Sequence, residues 1–99
     1  MKTYYVYILK CSDGTYYTGV TNDINRRLDE HSSGYNPECY TAKRRPVSLV
    51  WFTDTNDINY AIDKEKQIKK WSKAKKEALI ISDWENLKLL SKKNFNKTL

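Results

Sequence analysis

The strongest constraint on how this chain can fold lies near its N-terminus. Two runs of β-branched and aromatic residues, 3–11 (TYYVYILKC) and 15–21 (TYYTGVT), are separated only by Ser12-Asp13-Gly14. Such residues suit a pleated, half-buried surface, and a short turn containing Asp and Gly joins antiparallel neighbours, so the segment reads as a β-hairpin. Turn chemistry allows either a two-residue Asp13-Gly14 loop or a three-residue loop with Gly14 in the left-handed bulge position. The first register puts Cys11 opposite Tyr16 and sends Tyr7 and Tyr17 to opposite faces. The second pairs Cys11 with Thr15, Leu9 with Tyr17 and Tyr7 with Gly19, which places both tyrosines on one face and leaves space beside Tyr7.

The rest of the chain reads as strand and helices in the order ββαβααα, an α/β (α+β) fold with a small, mainly antiparallel three-stranded sheet. Thr21-Asn22-Asp23 can cap a helix over 23–32 that stops at Ser33-Gly34. Its apolar stripe is Ile24 and Leu28, and Arg27 and His31, four apart, share an adjacent face. Residues 34–46 (GYNPECYTAKRRP) form a basic loop without regular period. Val47–Thr53 is a third strand whose nearly continuous apolar character points to a central place in the sheet. After Thr55-Asn56-Asp57 a helical period carries Ile58, Ala61, Ile62, Glu65 and Ile68 towards Trp71. Ser72 can cap a third helix over 73–81, and Ser82 with Glu85 has a capping-box spacing for a fourth over 83–92, with a fraying polar tail from Lys92. Residues 1–82 form the expected domain, and 83–99 a helical extension and tail.

At 99 residues a single core is expected, and three Trp, eight Tyr and two Phe supply its bulk. Cys11 and Cys39 belong to no CxxC pair or Cys/His cluster, which argues against structural zinc and for reduced thiols. The run Tyr4–Leu9 is too short to span a bilayer and lacks a signal-peptide cleavage site, so the chain is expected to be cytoplasmic, without membrane association. A net charge of +6 attracts polyanions, although lysines also serve solubility.

Glu65 is the most informative single residue. It shares a helical stripe with apolar residues, and a core-facing carboxylate needs a cation, supplied by either a Lys or Arg partner or a metal ion. Tyr7 and Tyr17 are ordinary core aromatics unless the bulged register brings them together. Arg27 alone is a solvated cation, and His31 alone a residue suited to a helix C-terminus.

Taken together, these residues resemble the GIY-YIG nuclease superfamily over about residues 3–81, closest to its small stand-alone bacterial members. Tyr5-Val6-Tyr7 stands for the first family motif and Tyr17-Thr18-Gly19 for the second. The segment 20–31 (VTNDINRRLDEH) keeps the helix pattern that supplies the family's arginine at Arg27, with His31 one turn beyond, and Glu65 falls at the metal ligand. The departures are Tyr5 for Gly and Thr18 for an aliphatic residue, and neither removes a catalytic group. Val20 follows Gly19 where some members carry a Lys or His that assists water activation.

The resemblance implies metal-dependent phosphodiester hydrolysis of nucleic acid, DNA first and RNA second, by a chain expected to act as a monomer. Glu65 would hold one Mg²⁺ or Mn²⁺, Arg27 would clamp phosphate oxygens, and Tyr7 would orient or deprotonate the water, with Tyr17 and His31 in the same cluster. A phenol takes that part only if Arg27, His31 or the metal favours its phenolate. Seven lysines and one acid lie between Lys64 and Lys76. Lys66, Lys69, Lys70 and Lys73 among them, with Lys43, Arg44 and Arg45, form a candidate phosphate track, and Tyr35 and Tyr40 are candidates for base stacking. A noncatalytic module that binds structured DNA or RNA, or a repair partner, is the competing reading.

Overall fold

The structure, a computed structural model, describes residues 2–96, with side chains described through residue 90. Its elements are β1 (Tyr4–Lys10), β2 (Tyr16–Thr21), α1 (Ile24–Ser33), β3 (Ser48–Thr55), α2 (Ile58–Lys69), α3 (Lys73–Ile80) and α4 (Trp84–Asn96), with a short 3₁₀ turn at Ala42–Arg44. This is the expected ββαβααα order. By backbone proximity the chain forms two compact units, the first ending at Lys69 and the second beginning at Lys70.

In the first unit β1 pairs antiparallel with both β2 and β3, giving the order β2-β1-β3. A strand flanked on both edges can lose all contact with water, and Val6, Tyr7, Ile8 and Leu9 are at most 1% exposed. The expected central position of the third strand is therefore corrected, because β3 is an edge. Its apolar run reflects half-exposed aromatic residues: Phe52 is 53% exposed and lies against the Tyr5 ring with centroids 6.2 Å apart. A bulge between Ile8 and Leu9 shifts the β1–β3 register.

Helix α2 packs on β1 and β2, with Ala61 and Ile68, two turns apart, fully buried. Ile58 and Ile62 border a hollow that Tyr4, Val20 and Thr21 also line. The loop after α1 is tied to the hairpin turn through Arg44. Its carbonyl accepts from Ser12 N and Ser12 Oγ, both at 2.9 Å, and its guanidinium donates to Asp13 Oδ2 at 3.1 Å and to the Tyr40 carbonyl at 2.8 Å.

In the second unit Ser72 caps α3 by accepting from Lys75 N, as its position implied, and α3 and α4 pack against each other. The cap of α4 is a correction. Ser82 takes a left-handed φ of 58° at the end of α3, so Asp83 is the residue that accepts from Asn86 N at 3.2 Å. Helix α4 continues to Asn96, past the Lys92 expected to begin the tail. The remainder of that tail lies outside the described residues. No helix among the described residues is long and apolar enough to cross a membrane.

Candidate active site

The hairpin closes with the three-residue loop. Cys11 N donates to the Thr15 carbonyl at 2.8 Å, Gly14 N donates to the Cys11 carbonyl at 3.0 Å, and Gly14 has a φ of 84°. Leu9 consequently faces Tyr17 and Tyr7 faces Gly19. Both phenol rings share one face, with centroids 6.3 Å apart. The close fit around Tyr7 requires Gly19, since a Cβ there would meet Tyr7 Cζ at 2.5 Å.

Helix α1 brings two more groups to this face. Asp23 caps its start by accepting from Arg26 N, and Gly34, with a φ of 67°, ends it, receiving the chain into Tyr35. Between these stops Arg27 and His31 are one turn apart. His31 is 3% exposed, so it is no surface cap. Its Nε2 lies 2.9 Å from the Tyr7 hydroxyl and its Nδ1 lies 2.7 Å from Thr41 Oγ1. The Tyr17 ring packs on His31 at 5.1 Å. Tyr40 stacks on Tyr17 at 6.1 Å, and the Arg44 guanidinium sits 3.9 Å over Tyr40.

Charge on this face is unequal. Arg27 pairs with Glu30 at 3.1 Å and lies within hydrogen-bonding reach of the Tyr7 and Tyr17 phenols. Burial works against its charge, but those oxygen partners outweigh burial and hold Arg27 more firmly protonated than usual. Burial pushes Tyr7 up to about 12 even though Arg27 pulls the other way. Burial and the Arg27 charge both lower His31, which is therefore neutral at physiological pH. The condition that Arg27 or His31 favour a Tyr7 phenolate is thus unmet within the protein's own groups.

Of the site residues expected from sequence, Tyr7, Tyr17, Arg27 and His31 come together. Glu65 is only 15% exposed and finds its cation in Lys69, at 3.7 Å. Among the described residues it makes no hydrogen bond or ion pair to the four others, and no group of three or more His, Cys, Asp or Glu side chains could hold a metal ion. Lys43, Arg45, Lys66, Lys69, Lys70 and Lys73 are exposed. Arg44 is instead engaged with Asp13 and Tyr40, and the Tyr40 ring, 40% exposed, packs against both Tyr17 and Arg44. Tyr35 is 76% exposed at a cleft that Arg27, Glu30, His31, Cys39 and Thr41 also line. Both cysteines are free thiols.

Sequence reasoning missed Thr41 and Cys39. Thr41 is 1% exposed, and Cys39 Sγ lies 3.5 Å from its Oγ1. Their segment has no periodicity, so no sequence pattern tied the two residues to each other or to His31.

Comparison with known proteins places the chain. A family model described as the GIY-YIG catalytic domain matches residues 3–78. A UPF0213 protein of Syntrophus aciditrophicus is 46% identical over 87 residues, covering 88% of this chain and 100% of the relative. A UPF0213 protein of Staphylococcus aureus is 41% identical over 80 residues, covering 81% and 96%. Among solved structures, the solution NMR structure of the UPF0213 protein BH0048 of Bacillus halodurans matches with a TM-score of 0.52 at 41% identity, covering 79% of this chain and 82% of that one. That of EF2693 from E. faecalis matches with a TM-score of 0.59 at 35% identity, covering 83% and 86%. The two motif tyrosines converging on the helix-borne arginine and histidine, and a match spanning three quarters of the sequence, show that the chain belongs to the GIY-YIG catalytic domain family, among small proteins of the UPF0213 type.

Proposed function

We propose that the protein is an endonuclease that hydrolyses phosphodiester bonds in DNA with the help of one divalent ion. The observation that carries this reading is the buried contact between Tyr7 and His31 beside the fixed charge of Arg27. A neutral phenol with a pKa near 12 is a poor base by itself. Hydrogen-bonded to a neutral imidazole, it needs no free phenolate. Tyr7 Oη accepts a proton from the attacking water as its own proton passes to His31 Nε2. Arg27 meets the non-bridging phosphate oxygens through its planar fork and balances the charge that develops on them.

The donor set fits a hydrated Mg²⁺ or Mn²⁺ better than a metal caged by protein. Glu65 is the single carboxylate assigned to it, so water and substrate oxygens would complete the coordination. When bound, such an ion neutralises charge on the leaving oxygen. Glu65 would hold it by exchanging its Lys69 contact for the cation. The reading takes residues 1–82 as the catalytic domain and 83–99 as an extension. The protein would act as a cytoplasmic monomer, with exposed Lys43, Arg45, Lys66, Lys69, Lys70 and Lys73 gripping phosphates without reading sequence.

The pairing of Glu65 with Lys69 favours one second reading, a noncatalytic module for structured DNA or RNA or for a repair partner. Purified protein incubated with branched, nicked and single-stranded DNA in Mg²⁺ or Mn²⁺ separates the two. Cleavage that disappears in Glu65→Ala and Tyr7→Phe supports the enzyme. Binding without metal-dependent cleavage of any substrate supports the module.

A further inference from the structure

We propose that Thr41, backed by Cys39, is a positioning residue that fixes the tautomer of His31, so that Nδ1 carries the proton and Nε2 is free to accept from Tyr7. Its kinetic consequence rests on the nuclease reading above, but the tautomer itself does not.

The assignment follows from counting donors along a buried chain. A neutral Tyr7 has one O–H to donate in a site 1% exposed, where leaving it unpaired is costly. Arg27 offers donors only, so the acceptor is Nε2 of His31 at 2.9 Å. A neutral imidazole whose Nε2 is bare must be protonated on Nδ1, and that N–H meets Thr41 Oγ1 at 2.7 Å, with Cys39 Sγ a more distant second contact at 4.0 Å. Thr41 then directs its own hydroxyl proton to Cys39 Sγ at 3.5 Å. All donors therefore run one way, from Tyr7 through His31 and Thr41 to Cys39. The reverse order would strand the Tyr7 proton. Burial alone would raise the Cys39 thiol, but its hydrogen bonds with Thr41 and the charge of Arg27 outweigh burial and lower it.

Thr41 touches neither the phenol nor the cleaved bond in this scheme. It acts through the imidazole, as an orienting group behind a base does.

His31 is the single histidine of the chain, so a two-bond ¹H–¹⁵N correlation spectrum of the labelled protein near pH 7.5 reads its tautomer without assignment ambiguity. The expected pattern has a protonated Nδ1 and an unprotonated Nε2. A protonated Nε2 in the wild type overturns the proposal whatever any variant does. In Thr41→Val, which keeps the shape and loses the hydroxyl, the pattern should move towards protonated Nε2. Thr41→Ser should restore the wild-type pattern, and an unchanged spectrum in Thr41→Val also overturns the proposal. On a cleaved substrate Thr41→Val should lower kcat about tenfold or more with KM nearly unchanged, and Thr41→Ser should recover most of that loss. If Thr41→Val does not fold, Cys39→Ala, which removes the last acceptor, should weaken the preference for protonated Nδ1. A wild type that cleaves nothing yet shows the expected tautomer defeats the nuclease reading alone. A wild type that cleaves with Nε2 protonated defeats only this inference.

Discussion

The hydroxyl of Tyr7 lies 2.9 Å from Nε2 of His31, and both side chains are at least 97% removed from solvent. A strand contributes one partner and a helix the other, 24 residues apart in sequence. The contact therefore exists only when the hairpin register and the capping of α1 are both correct. That makes it a reporter of the fold as well as the centre of the proposed chemistry.

The first prediction concerns alkaline pH. An unfolded tyrosine loses its proton near 10, whereas folded Tyr7 holds it to about 12. Between those values the native state keeps a proton that the unfolded chain has released. Stability from this group is complete below pH 10 and is lost as pH rises towards 12, by an amount on the order of 2–3 kcal/mol. Urea melts of wild type and Tyr7→Phe from pH 9 to 11.5 isolate the term, because lysine titration is common to both. Parallel alkaline limbs for the two proteins would contradict it.

Gly19→Ala tests the packing beside Tyr7. The added methyl would sit 2.5 Å from Cζ of a ring that is buried and cannot swing away. Overpacking of this kind costs about 1–3 kcal/mol. Removing the hydroxyl should not relieve it, since the ring carbon still collides, so the double variant Gly19→Ala/Tyr7→Phe should be no more stable than Gly19→Ala. Recovery of stability in the double variant would mean that the hydroxyl alone sets the fit.

Thr18→Val should stabilise the protein. Thr18 replaces an aliphatic residue of the family motif and is 2% exposed, and its Oγ1 has no hydrogen-bond partner among the described residues. An isosteric methyl removes that unsatisfied hydroxyl at almost constant volume, for a gain of about 1–2 kcal/mol. A midpoint in urea equal to or below that of wild type refutes this account.

Much of this site was legible in the sequence because its parts are specified locally. Period-two alternation and the Asp13-Gly14 turn narrow the hairpin to two registers, and Asp23 and Gly34 bound the helix that presents Arg27 and His31. The same local reasoning fails where competing signals are equally good. A continuous apolar run does not separate a central strand from an edge whose aromatics lie half in water, so β3 was misplaced. Ser82 and Asp83 are both competent caps, and the left-handed turn at Ser82 decides between them. Thr41 and Cys39 come from a segment held by Arg44 to the hairpin turn, a long-range contact that no periodicity announces. For Glu65 the need for a cation was evident, and Lys69, one turn on, meets it.

That ion pair gives a prediction that separates structure from chemistry. Lys69 is 63% exposed, so the pair contributes less than about 1 kcal/mol, and Glu65→Gln should leave the melting transition almost unchanged. Divalent-metal-dependent cleavage should nevertheless be lost. A fall in stability that accounts for the lost activity would make Glu65 a structural residue, and full activity would remove it from metal binding.

Salt dependence distinguishes the groups expected to meet phosphate from those occupied elsewhere. Lys43, Arg45, Lys66 and Lys73 are exposed, whereas Lys75 lies 4.4 Å over the Trp71 ring and Lys64 5.8 Å over Tyr60. A lysine that neutralises a phosphate releases a counterion, so removing one such contact should lower the slope of log affinity against log salt by about 0.9 on duplex DNA and about 0.7 on a single strand. Substituting Lys43, Lys66 or Lys73 by Ala should reduce the slope, and Lys75→Ala should not. The loss should be similar for unrelated sequences, because phosphate contacts position a chain without reading bases. Equal slopes for all the variants would mean that the basic surface keeps the protein dispersed in water and that binding, if any, is carried by Arg27 and its neighbours.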